Sequence, residues 1–98
     1  MPFKLIPTKE ADDTLQALQA DPGAQAVFRA VAKALAYLEQ NPRHPSLQTH
    51  EYHSIKGKNG EKIWEAYAQN KTPGAWRLFF HYGPGPDTLT VVAIAPHP

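Results

Sequence analysis

The hydrophobic period of this chain changes once, between Gln40 and Thr49, and that change limits the fold more than any other feature. Before it, Val27, Phe28, Val31, Ala34, Leu35 and Leu38 recur at three- and four-residue intervals. This spacing predicts one apolar stripe on a helix running from roughly Gly23 to Gln40. After it, short segments rich in aromatic and β-branched residues alternate with turn signals, which predicts strands. The break reads "NPRHPSLQT", and its prolines cannot continue a helix. A helical first half and a stranded second half bury a common core by laying the helices on one face of an antiparallel sheet. The expected class is therefore α+β in two layers.

The remaining elements fit this frame. "PFKLIPT" predicts a short first strand, and Thr8 can cap a helix over "KEADDTLQALQA", with Glu10, Asp12 and Asp13 near the positive end of its dipole. Asp21 and Pro22 suit the start of the second helix, so the two helices form a hairpin. Asn59-Gly60 sits at the centre of a predicted β-hairpin. "AWRLFFHY" and "TLTVVAIA" predict two more strands around "GPGPD". The order is β-α-α-β-β-β, with one further strand if the first hairpin arm is regular. The N-terminal strand and helical hairpin are expected to pack on a mainly antiparallel sheet, and residues 1–98 to form a single domain.

Composition excludes several classes. The chain has 98 residues, which is one domain's worth, and no cysteine, so disulfides, thiolate chemistry and cysteine-ligated zinc are out. No apolar run approaches the roughly 18 residues of a membrane span. "MPFKLIPTKE" lacks the apolar core and cleavage site of a secretory signal, so a cytoplasmic protein is expected. His44, His50 and His53 match no common zinc spacing, and neither a metal nor another cofactor is expected. The stretch around them reads as a proline-fixed turn, with His50 hydrogen-bonded inside the fold. Formal charge is only +1, so any polyanion site must come from local clustering.

Strand alternation indicates where that cluster lies. In "WRLFFHY", Trp76, Leu78, Phe80 and Tyr82 share the face suited to the helix stripe, leaving Arg77, Phe79 and His81 on the other. In "KIWEAYA", Trp64, Ala66 and Ala68 face the core while Glu65 and Tyr67 point away. An antiparallel sheet can leave one face wet, and this face would then display Glu65, Tyr67, Phe79, Arg77 and His81. His97 would stand at its rim and Lys56, Lys58 and Lys62 beside it. Arginine and lysine suit RNA phosphates, tyrosine and phenylalanine can stack bases, and a histidine can move a proton.

At this point the sequence resembles the RelE/ParE superfamily of type II toxin–antitoxin toxins, its RelE/HigB-like branch in particular. The succession that carries the resemblance is "LAYLEQNPRHPSL", "THEYHSIKG", "IWEAYAQ", "WRLFFHY" and "TLTVVAIAPHP". It implies the RelE-like β-α-α-β-β-β fold and metal-independent cleavage of ribosome-bound messenger RNA, in which the RNA's own 2′-hydroxyl attacks the adjacent phosphate. It also implies a cognate antitoxin, contact with ribosomal RNA, and DNA contact only through an antitoxin complex. Carried over, Arg77 holds the scissile phosphate and His97 is the general acid or base. Lys56, Lys58 and Lys62 fall where the family places basic residues, with Tyr67, Phe79 and His81 as further RNA contacts. Glu65, after Trp64, is read from geometry as a base.

Two other readings stay open. A ParE-like gyrase-binding toxin shares the fold, although His97 favours nuclease chemistry. A catalytically inert binding module is favoured by the low charge and by Ser46, where some members carry an acidic residue.

Overall fold

The computed structural model describes residues 2–97 as a five-stranded sheet with two helices on one face. The elements run β1 (Lys4–Pro7), α1 (Lys9–Ala20), α2 (Gln25–Gln40), β2 (His50–Lys56), β3 (Lys62–Tyr67), β4 (Trp76–Tyr82) and β5 (Thr88–Pro96). In space the strands lie in the order β1-β5-β4-β3-β2. β1 pairs with β5 in parallel, and all other neighbours are antiparallel. The helical hairpin therefore carries the chain from one sheet edge to the other before the meander returns. The two-layer α+β architecture is as the period change predicts.

Local chemistry sets the boundaries. Thr8 Oγ1 accepts from Ala11 N at 3.2 Å to cap α1, and donates to Val92 O at 3.0 Å. The same hydroxyl thus fixes a helix start to the sheet. Asp21 accepts from Gly23 N at 2.8 Å, but Pro22–Ala24 form a short 3₁₀ turn, so α2 begins two residues later than Gly23. The stretch after α2 also contains a 3₁₀ turn, Pro45–Leu47, ended by Gln48 in the left-handed conformation (φ 47°).

The core lies between helices and sheet. Val31, Ala34 and Leu38 of α2 and Ala11 and Leu18 of α1 meet Ala66, Leu78, Phe80, Leu89, Val91 and Ile94. The last three do not share a simple two-residue alternation. A bulge explains them: Phe79 pairs with Ala93 and Phe80 with Val91, leaving Val92 as an extra residue. The strand changes phase there, so Ile94 on one side of the bulge and Val91 and Leu89 on the other all reach the core. Tyr82, expected on the core face, lies at the strand end and is 43% exposed, edge-on to Phe3, Trp64 and Phe80.

The expectation of an open, wet second face is corrected. Ile63, Glu65, Arg77, Phe79 and His81 are all buried although the helices pack on the opposite side. Edge strand β2 crosses a second irregularity between Tyr52 and Lys56, and Tyr52 sets its ring edge-on to Phe79 with centroids 5.0 Å apart. The polar groups of this face are buried because they contact one another.

Leu38 makes no contact with water and sits where α2 meets the sheet. Leu38→Ala should cost about 2–5 kcal/mol of stability, read as a lower urea midpoint with an unchanged denaturant slope.

Candidate functional site

One carboxylate organises the second face. Glu65, in the middle of β3, is 2% exposed. Directly across on β2 stands His50, whose Nε2 lies 2.7 Å from Glu65 Oε1. His97, just beyond β5, brings Nδ1 to 3.3 Å from Oε2. Arg77 on β4 brings Nε to 3.7 Å from the same oxygen. Strand register assembles this group. Tyr67 lies directly opposite Arg77, and Arg77 opposite Ala95, so His97 follows two residues on along the same alternation. The backbone bond from His97 N to Ala75 O, 2.8 Å, holds that terminal histidine against the start of β4.

Arg77 is gripped from three sides. Nη1 donates to Gln69 O at 2.7 Å and to Trp76 O at 3.3 Å. The guanidinium carbon lies 3.7 Å from the centre of the Tyr67 ring, a stacked cation–π contact. Nε is the one buried side-chain nitrogen or oxygen without a hydrogen bond among the described residues. Its separation from Glu65 makes the pair an ion contact and not a formed hydrogen bond. Among the described residues Nη2 makes no hydrogen bond, and it keeps some exposure, so it is the edge of the group that a ligand could reach.

The two histidines differ in what they can offer. His50 sets Nδ1 2.9 Å from Gln48 O and Nε2 on Glu65, so both ring nitrogens face acceptors and neither is left over. Among the described residues His97 bonds only through Nδ1, and Nε2 has no partner on a side chain that is 51% exposed. A carboxylate that receives the Nδ1 proton fixes the tautomer with its lone pair on Nε2, the atom suited to take or return a proton. Glu65 itself has both oxygens engaged and almost no exposure. Its expected role as a base is set against a geometry in which both oxygens face neighbouring side chains. The hydrogen bond expected of His50 inside the fold places it in this cluster.

The other anticipated RNA contacts lie apart. Lys56, Lys58 and Lys62 are exposed around the turn of the β2–β3 hairpin, at the far end of β3 from Tyr67. From Glu65 to Lys62 is three residues of strand, about 10 Å. His81 is buried at that same end of β4, with Nδ1 at 3.0 Å from Tyr82 O and Nε2 at 3.9 Å from Glu61. Phe79 is buried beneath Tyr52, so neither Phe79 nor His81 presents a ring face to a base. Glu61 closes the hairpin turn by accepting from Asn59 N at 2.9 Å. Its carboxyl is held below the usual range by backbone hydrogen bonds, first its own amide and then that of Asn59. No group of three or more metal-ligating side chains suited to an ion occurs among the described residues.

Comparison with solved structures places the architecture. A YoeB/ParE toxin from Agrobacterium tumefaciens superimposes with a TM-score of 0.69 at 14% identity, covering 97% of this chain and 99% of that one. The fold is that of the RelE/ParE toxins. The archaeal RelE of a RelE–RelB complex from Pyrococcus horikoshii matches with a TM-score of 0.64 at 15% identity, over 98% and 96% of the chains. A YoeB dimer from Staphylococcus aureus matches at 0.70 and 8% identity over the whole of both. No protein-family profile and no curated protein matches in sequence. The RelE-like likeness is thus one of backbone path, carried at identities too low to transfer side-chain roles.

Glu65→Gln keeps the size of the hub and removes its charge. It should destabilise the protein by about 1–3 kcal/mol, because buried polar partners lose a charged acceptor. Urea unfolding measures the loss, and the ring resonances of His50 and His97 should move together. At the hairpin, a lowered Glu61 pKa contributes stability above the ordinary carboxylate range that is lost as pH falls through the lowered value. Amide exchange at Gly57 and Gly60 should follow that pH dependence in the wild type and lose it in Glu61→Gln.

Proposed function

We propose that this chain is the toxin of a toxin–antitoxin pair and a cytoplasmic, metal-independent endoribonuclease acting on ribosome-bound messenger RNA. The single observation that carries the reading is the convergence of His97 and Arg77 on Glu65. The RelE/ParE fold supports membership of the superfamily, and a RelE–RelB complex among the structural relatives supports a cognate antitoxin as partner.

The chemistry needs a proton carrier and a positive charge beside one phosphate. In the cleavage step the RNA's 2′-oxygen forms a bond to the adjacent phosphorus while the bond to the 5′-oxygen breaks, leaving a 2′,3′-cyclic phosphate and a 5′-hydroxyl. His97 Nε2 takes the 2′-hydroxyl proton or, once protonated, gives one to the departing 5′-oxygen. Glu65 holds the imidazole in the required tautomer and orientation. Arg77 Nη2 faces the negative charge that grows on the non-bridging oxygens, while Tyr67, Gln69 and Trp76 prevent the guanidinium from moving away. His50 holds the other carboxylate oxygen, so Glu65 stays aligned with His97. Lys56, Lys58 and Lys62 form a separate basic end suited to ribosomal RNA phosphates.

A second reading draws on the same contacts. With Nη1 committed and the side chain 9% exposed, Arg77 cannot grip phosphate with both amino groups as it stands. That favours an inert binding module; a ParE-like gyrase poison remains the third reading.

Induction without antitoxin in a bacterial host separates these readings. The proposal expects growth arrest with transcripts cut inside translated regions. His97→Ala and Arg77→Ala should each reduce cleavage about 100-fold or more, compared only between preparations that circular dichroism shows to be folded. Arrest with whole transcripts and broken chromosomes would mean gyrase. No arrest from well-expressed protein would mean the inert module.

A further inference from the structure

A second concave site lies on the other side of the β2–β3 edge. It is a cleft of about 430 Å³ lined by Arg43, His44, Gln48, Trp64 and Tyr82, together with Pro45 and Thr49. This volume lies within the range of small-ligand sites. Trp64 packs against the core and also lines the cleft. Tyr82 meets it nearly at a right angle, 89° with centroids 6.3 Å apart, so the two rings form an aromatic corner. Tyr82 is among the few large hydrophobic side chains left exposed.

The polar groups around that corner are arranged for an anion and a hydrogen-bonding edge. Among the described residues Arg43 makes no side-chain hydrogen bond or ion pair, although its amide is anchored by Asn41 Oδ1 at 3.0 Å. Its guanidinium is therefore a free fork at the mouth. His44 accepts from Ser46 N through Nδ1 at 3.1 Å, which leaves the ring proton on Nε2 as a donor. Its ring is held flat on Tyr37, centroids 4.0 Å apart and planes 10° apart. Gln48 supplies an amide that can both donate and accept, from a backbone held at φ 47° where a side chain other than glycine is rarely found. That strain is maintained by the turn that also delivers Gln48 O to His50.

We infer that this cleft binds one nucleotide unit, its base stacked in the Trp64–Tyr82 corner and read by Gln48, and its phosphate held by Arg43 and His44. Bases stack on aromatic side chains irrespective of sequence, and arginine pairs with phosphate oxygens in a fork. No acidic residue lines the cleft, and Glu51, opposite Trp64, is 3.4 Å from His53 Nδ1. The inference is independent of the proposed nuclease chemistry, since none of its residues belongs to the Glu65 cluster except through the Gln48 backbone. A free mononucleotide and a nucleotide within single-stranded RNA offer the same chemistry.

Trp76→Phe leaves Trp64 as the sole tryptophan, so its fluorescence reports on the cleft. In that background AMP, UMP and an uncleavable 2′-deoxy oligonucleotide are titrated at low salt. Saturable quenching is expected. Arg43→Ala should weaken nucleotide binding about tenfold and leave binding of adenosine, which lacks phosphate, unchanged. Tyr82→Leu should weaken both. Tighter binding of the oligonucleotide than of AMP assigns the cleft to an RNA strand, and equal binding assigns it to free nucleotides. No saturable quenching at millimolar ligand, or a folded Arg43→Ala protein that binds AMP as the parent does, overturns the inference. RNA cleavage by that same Arg43→Ala protein is scored separately, so loss of the cleft and loss of the nuclease reading are distinguishable.

Discussion

The buried carboxylate of Glu65 is the interaction on which the second face of this sheet depends. A charge at 2% exposure is tolerated only with partners, and here three come from three different segments: His50 from β2, Arg77 from β4 and His97 from beyond β5. Each partner in turn has its own anchor: Gln48 O behind His50, Tyr67 beneath Arg77, Ala75 O beside His97. The cluster is therefore a chain of local constraints ending in two atoms without a partner among the described residues, the His97 Nε2 and the Arg77 Nη2.

Two bulges give the sheet its division of labour. The extra residue Val92 lets β5 feed the core from both sides of the irregularity, and Thr8 ties that bulge to the start of α1. The irregularity in β2 brings Tyr52 over Phe79 and so closes the centre of the helix-free face. The charged groups of this face lie towards its ends. The His97–Arg77 cluster lies at one, and the lysine hairpin with Glu61 and His81 lies at the other. Along the β2 edge, Gln48 joins the cluster on one face to an aromatic cleft on the opposite face. An RNA strand that used both would have to pass around that edge.

Much of the fold was legible because it rests on local chemistry. The α2 stripe, the Thr8 cap, the prolines after Gln40 and the Asn-Gly turn each act within a few residues, and the observed elements follow them closely. β4 kept its alternation, so Arg77, Phe79 and His81 do share the face away from the helices. The exposure of that face was not legible. Alternation states which side a residue takes, whereas burial depends on whether neighbouring side chains can cover and satisfy it.

His50 shows where local reading stops. An Asn-Gly two-residue turn would pair Lys58 with Glu61 and leave His50 far from Glu65. The observed turn is longer, running from Gly57 to Glu61, and the irregularity after Tyr52 absorbs further residues, so His50 arrives opposite Glu65. The sequence by itself determined the helices, the strands, and the side of the sheet on which each polar residue stands, because propensity, capping and period act over short distances. Only the tertiary structure decided register, and with it that residues 50, 65, 77 and 97 share one carboxylate. Register is a sum of loop lengths and bulges over the whole sheet, and no short stretch of the chain contains that sum.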